Sequence, residues 1–171
     1  KGKTELYLKN EQALEDFLLE AVTKETVLQL GASGTSLTGR PLADVVKRIT
    51  TARRVRMQLD KRADRRLVSE FADAQLSEAD LRDRERLERL EAKVMAEVSR
   101  RHGELGQAVP EYKQDSEHGT WELKFHAGQH GARRVTTINA DLVRSPEFVE
   151  LKRISAELKS KLVEPVKLER E

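Results

Sequence analysis

The segment TWELKFHA, residues 120–127, alternates cleanly. Trp121, Leu123, Phe125 and Ala127 fall on one side of an extended chain, and Glu122, Lys124 and His126 on the other. Period two marks a half-buried strand, because successive side chains of a strand point to opposite faces of its sheet. GQHG follows and leads into ARRVTTIN, so the two segments read as a hairpin. The second strand alternates poorly, since Val135 and Ile138 have opposite parity, and a bulge is the expected way to absorb the mismatch.

Most of the remaining chain has helical period. Glu5 to Leu8 reads as a short strand, Asn10 as a helix cap, and Ala13, Leu14, Phe17, Leu18 and Ala21 as one apolar helix face. Thr26 to Leu30 is a second strand, followed by GASGTSLTG, a flexible connecting loop. Pro41 then opens a helix, where its missing N–H costs nothing. Leu42, Val45, Val46, Ile49, Ala52 and Leu59 carry the apolar stripe of that helix to about Asp60. A shorter helix buries Leu67, Val68 and Phe71. Ser77 and Asp80 form a capping box for a single long helix with Leu81, Leu87, Leu90, Val94 and Val98 inward, ending at His102-Gly103. Residues 104–118 read as loop. Ser145-Pro146-Glu147 starts a last helix with Phe148, Leu151, Ile154, Leu158 and Leu162 on one stripe, and a polar KLERE tail follows Pro165.

This order lacks regular βα alternation and predicts an α+β fold: a small sheet including a C-terminal-half hairpin, a long helical hairpin and a C-terminal helix. The chain of 171 residues is long enough for one domain with a real core. Aromatic residues are only 4%, so that core must be built from Leu, Val, Ile and Ala. There is no cysteine, which excludes disulfides and thiolate zinc sites and fits a reducing cytoplasm. No apolar run approaches the roughly 20 residues of a membrane span.

The chemical motifs are weak. GASGTSLTGR lacks the lysine that a phosphate loop requires after its last glycine, since Gly39 is followed by Arg40 and Pro41. His126 and His130 flank a turn with no third ligand at a metal-binding spacing, and His102 and His118 read as loop residues. Carboxylates such as those of DLRDRERLERLEAK have an ordinary use in helix-surface pairs, Glu85 with Arg89 for example. No catalytic residue is assigned and no metal site.

Charge segregation is the stronger signal. Arg40 to Arg66 holds ten basic residues and three acidic, whereas Leu67 to Ser99 holds nine acidic and five basic. On a helix from Pro41 to Asp60, Lys47 and Arg54 lie two turns apart on one side, Arg48 and Arg56 border them, and Arg53 can reach the same face. Lys61, Arg62, Arg65 and Arg66 extend the charge past the helix end. Such a stripe can neutralise phosphates without sequence preference. Its alternative use is internal, as partner of the acidic helix 77–101.

The opening KGKTELYLKNEQALEDFLL resembles the end of the TOPRIM region of the DNA gyrase B subunit, where a KGK-type strand leads to a Tyr-containing strand and a short helix. In the uninterrupted subunit that helix soon meets RYKGLGEMN. Here SLTGRPLADVVKR, LSEADL, the Trp-containing strand and SPEFVELKRISAELKSKL follow. In that order they resemble the large insertion of gyrase B subunits from Gram-negative bacteria. The resemblance covers almost the whole chain and implies one domain, with residues 1–24 a junction with the parent TOPRIM region and 25–171 the insert.

It further implies a parent type II topoisomerase that introduces negative supercoils with ATP and Mg²⁺ in the cytoplasm. The insert's partners would be the gyrase A subunit, the remaining B domains and DNA, with no membrane. The family's EGDSA-like acid, DxD pair, PLRGK and RYKGLGEMN are absent, so the resemblance carries over no catalytic residue and no cofactor to this fragment. A structural spacer bracing neighbouring gyrase domains is the alternative role.

Overall fold

The computed structural model describes residues 11–31, 35–129, 132–162 and 166–170. The expected strand Glu5 to Leu8, the Asn10 cap and His130 lie outside them. The fold is α+β, and its elements fall into two compact units whose division runs through two helices. Unit 1 is Lys1–Ile49 with Leu158–Glu171, and unit 2 is Thr50–Glu157.

In unit 1, α1 (Glu11–Lys24) leads into β1 (Thr26–Leu30). The sequence GASGTSLTG is not all loop: β2 (Thr35–Leu37) pairs antiparallel with β1, Leu28 opposite Leu37. α2 (Gly39–Leu59) follows, with Pro41 in its first turn as expected. Leu28, Leu30 and Leu42 are buried together, and Leu37, Val46 and Leu162 pack against them. The described part of the α1 stripe, Phe17, Leu18 and Ala21, is exposed and does not join this core. Phe17 and Leu18 are 44% and 53% exposed, and among its described side chains Thr23 is the buried one, donating its hydroxyl to Leu19 O at 2.8 Å. A stripe at helical spacing states which side is apolar, and burial needs a covering surface as well.

Unit 2 continues α2 and adds α3 (Arg65–Asp73), α4 (Glu78–Arg82) and α5 (Arg84–His102). The expected single helix from 77 is therefore two. Asp80 closes the capping box of α4, accepting from Ser77 N at 2.8 Å and from the Ser77 hydroxyl at 2.5 Å. Asp83 then leaves helical geometry and becomes a second N-cap, accepting from Arg86 N at 3.1 Å. A side chain that can satisfy free N–H groups starts a helix wherever the backbone opens. α5 ends as expected at Gly103, whose φ of 54° suits a residue without Cβ. His102 is accordingly the last residue of α5 and not part of a loop.

The residues after Gly103 are also structured. A 3-10 turn, Gly103–Gln107, precedes β3 (Pro110–Asp115), which pairs with β4 (Thr120–Gln129) from Pro110↔Phe125 to Asp115↔Thr120. β4 pairs with β5 (Ala132–Ile138), so the expected hairpin is two-thirds of a three-stranded sheet ordered β3-β4-β5. No bulge interrupts the paired residues. The register runs unbroken from Leu123↔Ile138 to Gln129↔Ala132. Parity is kept because Val135 faces outward, while Thr136 sits fully buried between Ile138 and the α3 cap. Its hydroxyl accepts from Asp64 N at 2.8 Å, which makes a core position out of a polar residue.

α6 (Ala140–Arg144), which no periodicity in the sequence announces, is capped by Asn139 accepting from Leu142 N at 3.0 Å, and α7 (Pro146–Lys161) follows. The unit 2 core joins Leu67, Phe71, Leu81, Leu87, Leu123, Phe125, Ile138, Phe148 and Ile154. Phe71 and Phe125 meet with ring centroids 5.9 Å apart. In unit 1 the tail is a strand too: β6 (Val166–Arg170) pairs antiparallel with β1, Leu28 opposite Leu168, giving a second three-stranded sheet ordered β2-β1-β6.

Candidate nucleic-acid interface

Helical period decides which side of α2 is free. In unit 2, Ala52, Val55 and Leu59 are buried at spacings of three and four. The opposite side carries Thr50, Arg53, Arg54, Met57 and Gln58, and with Lys61 just past the helix end these line one open groove. Arg53, Arg54 and Lys61 are exposed, and among the described residues none of the three has an ion-pair partner. Arg53, which the sequence placed only within reach of this face, lines the groove beside Arg54.

The other basic residues singled out in the sequence are differently placed. In unit 1, Lys47 Nζ is 3.0 Å from Asp16 Oδ1, and Arg48 is half-buried with polar partners. In unit 2, Arg56 is half-buried, and its Nε is without a hydrogen-bond partner among the described residues. Arg62 lies 3.3 Å from Glu147. Arg65 is exposed, with no ion pair among the described residues. Arg66 grips Asp64 with both arms, Nε to Oδ1 at 3.0 Å and Nη2 to Oδ2 at 2.6 Å. Burial alone would push the Asp64 carboxyl up, but the hydrogen bonds and charge of Arg66 outweigh it and hold Asp64 below its ordinary value.

In unit 2 the two acids of the basic segment, Asp60 and Asp64, are occupied. Arg134, from β5, donates to Asp60 Oδ1 at 3.1 Å, to the Asp60 carbonyl and to Ala63 O at 3.1 Å. Asp60 Oδ1 also accepts from Arg65 N at 3.2 Å. Among the described residues the acids of α4 and α5, Glu85 apart, are met within their own neighbourhood. Arg84 pairs with Glu88 at 2.8 Å, Arg86 with Asp80, and Arg100 and Arg101 with Glu97. The expected Glu85–Arg89 pair is not formed. Arg101 also reaches Glu70 on α3 at 3.1 Å. Tyr112 lies near Glu91, and burial with the charges of Glu91 and Glu88 pushes the phenol up to about 12. Arg84 stands over both the Tyr112 and Trp121 rings, at 5.2 and 4.8 Å. Among the described residues, no basic residue of unit 2 from Arg53 to Arg66 takes an ion-pair partner from α4 or α5.

His126 lies on the outer face of the unit 2 sheet, 3.7 Å from Glu111, and His118 pairs with Asp115 at 2.7 Å. Among the described residues no three His, Asp or Glu side chains converge to hold a metal ion. None of the described helices is long and apolar enough to cross a membrane.

Fold and face together define a charged α+β module. A family model described as the DNA gyrase B subunit insert domain matches residues 27–170, and the chain belongs to that family. Membership implies a gyrase B subunit as parent, and through it a type II topoisomerase.

Proposed function

We propose that the chain is a non-catalytic insert within the TOPRIM region of a gyrase B subunit. It supports DNA engagement and communication with the A subunit and the other B domains during ATP-dependent negative supercoiling. The nucleotide and Mg²⁺ chemistry would reside in parts of the parent outside this chain, in a cytoplasmic enzyme. Family membership supports the parent enzyme. The observation that carries the DNA reading is the direction of the basic segment. Among the described residues the ion pairs of α4 and the first turns of α5 are made with arginines of α4, α5 and α6, and Arg53, Arg54 and Lys61 have no internal ion-pair partner.

A second reading, a spacer that braces neighbouring domains, draws on Arg62 and Arg66, which are tied to carboxylates of the same unit. Reversing Arg54 and Arg62 to Glu in the assembled gyrase separates the two. The DNA reading expects affinity for duplex DNA to fall about tenfold or more at low salt, because a phosphate with no cation opposite it keeps its condensed counterion. Unchanged affinity would leave the spacer standing and remove direct DNA engagement.

A further inference from the structure

We propose that the groove face of α2 in unit 2 contacts the phosphate backbone of duplex DNA through Arg53, Arg54 and Lys61. The inference rests on the DNA reading above and narrows eight basic candidates to a shared face, with Arg53 added. Arg54 stands on the last turns of α2 and Lys61 in the turn just past its end, and both line the same groove. Arg53 flanks them across Met57. The three cations share one open groove that contains no acid. Among the described residues none is neutralised by an ion pair, so none must break an internal pairing to meet a ligand. Arg66, by contrast, would have to surrender a bidentate carboxylate.

The occupant follows from charge and from the neutral residues between the cations. Three like charges without an acid call for a polyanion. The Thr50 hydroxyl and the Gln58 amide add donors of the kind that bond phosphate oxygens. No lining residue of the groove is aromatic, so it offers no platform on which single-stranded bases would stack. Duplex phosphate, met without base readout, is the ligand this face fits.

The test measures binding of the full chain to two duplexes of unrelated sequence across a salt series. Neutralising three phosphates contributes about −2.7 to the slope of log affinity against log salt. The triple variant R53Q/R54Q/K61Q should lose that increment equally on both duplexes. A control triple, R82Q/R100Q/R153Q, removes the same charge from ion-paired surface sites and should keep the slope. If the unaltered chain binds neither duplex at low salt, the DNA reading fails and this proposal with it. If it binds but R53Q/R54Q/K61Q keeps the full slope, or the control loses as much, only the assignment to this face is overturned. Displacement of DNA by poly-glutamate at equal charge would also overturn it, in favour of an acidic protein surface.

Discussion

α2 and α5 are both long helices with crowded charge, and in unit 2 they dispose of it in opposite ways. α5 interleaves signs at three- and four-residue spacing, so Arg84 meets Glu88 and Arg100 and Arg101 meet Glu97, and much of its charge is paired along the helix itself. Over Thr50–Leu59, α2 carries bases only, and just past its end Asp60 is taken by Arg134. Charge density therefore distinguishes nothing here. What differs is whether a charge has been spent on the fold, and that difference can be broken experimentally.

The largest effect is expected where α5 uses charge to hold α3. Glu70 is buried, its side chain 6% exposed, against Arg101 at 3.1 Å and His102 at 3.6 Å. Arg101→Ala should strand the carboxylate, leaving only the imidazole opposite it. Removing the partner of a buried carboxylate costs roughly 2 kcal/mol where, as here, the departing guanidinium is itself 43% exposed and His102 remains. Urea unfolding would read it directly. A loss below about 0.5 kcal/mol, the level of an exposed pair, would erase the contrast with α2.

An intermediate effect belongs to Asp64, among the described residues the one acid that a basic-segment residue holds with both arms. It caps α3, accepting from Arg66 N at 2.9 Å, while the Arg66 guanidinium grips both oxygens. Its folded pKa is lowered, so its contribution to stability is complete above the unfolded carboxyl value and is lost as pH falls through the lower folded value. Asp64→Asn retains a capping oxygen but loses the charge. It should cost about 1 kcal/mol at neutral pH, and that difference from the unaltered chain should shrink from about pH 4 downward. A pH-independent difference would mean that the charge of Asp64 contributes nothing.

How much of this is legible in the sequence depends on the range of the interaction. β4 declares itself because its consecutive alternations need no partner to be recognised. The Ser77–Asp80 box and the Gly103 stop are visible for the same reason, being closed within a few residues. Asp83 reads as one more charge in a mixed helix, because its second role as a cap depends on where the backbone breaks. β3, PEYKQD, escapes notice because Tyr112 is its one large apolar residue, and β6, VKLER, because an alternation of only Val166 and Leu168 is too short to stand out in a charged tail. They are edge strands, recognised through hydrogen bonds to β4 and β1. At the candidate site, helix period is enough to associate Arg54 with one side of α2. It cannot show that Arg62 finds Glu147, that Arg134 occupies Asp60, or that Lys47 finds Asp16, because each partner lies far along the chain.

The smallest effect is the sharpest form of the comparison. If the groove face of α2 is unspent, neutralising it should leave the fold alone. R53Q/R54Q/K61Q exchanges three exposed cations, none with an ion-pair partner among the described residues, for a residue with comparable helix preference. The expected change in unfolding free energy is within about 0.5 kcal/mol, with a small gain at low salt as like charges cease to repel. The same three changes are expected to remove most of the salt-dependent affinity for duplex DNA. On this expectation stability and binding respond oppositely on the two helices, stability to Arg101 and binding to Arg53, Arg54 and Lys61. A stability loss above about 1 kcal/mol in the triple variant would show these cations already committed to the fold, and the distinction between the helices would collapse.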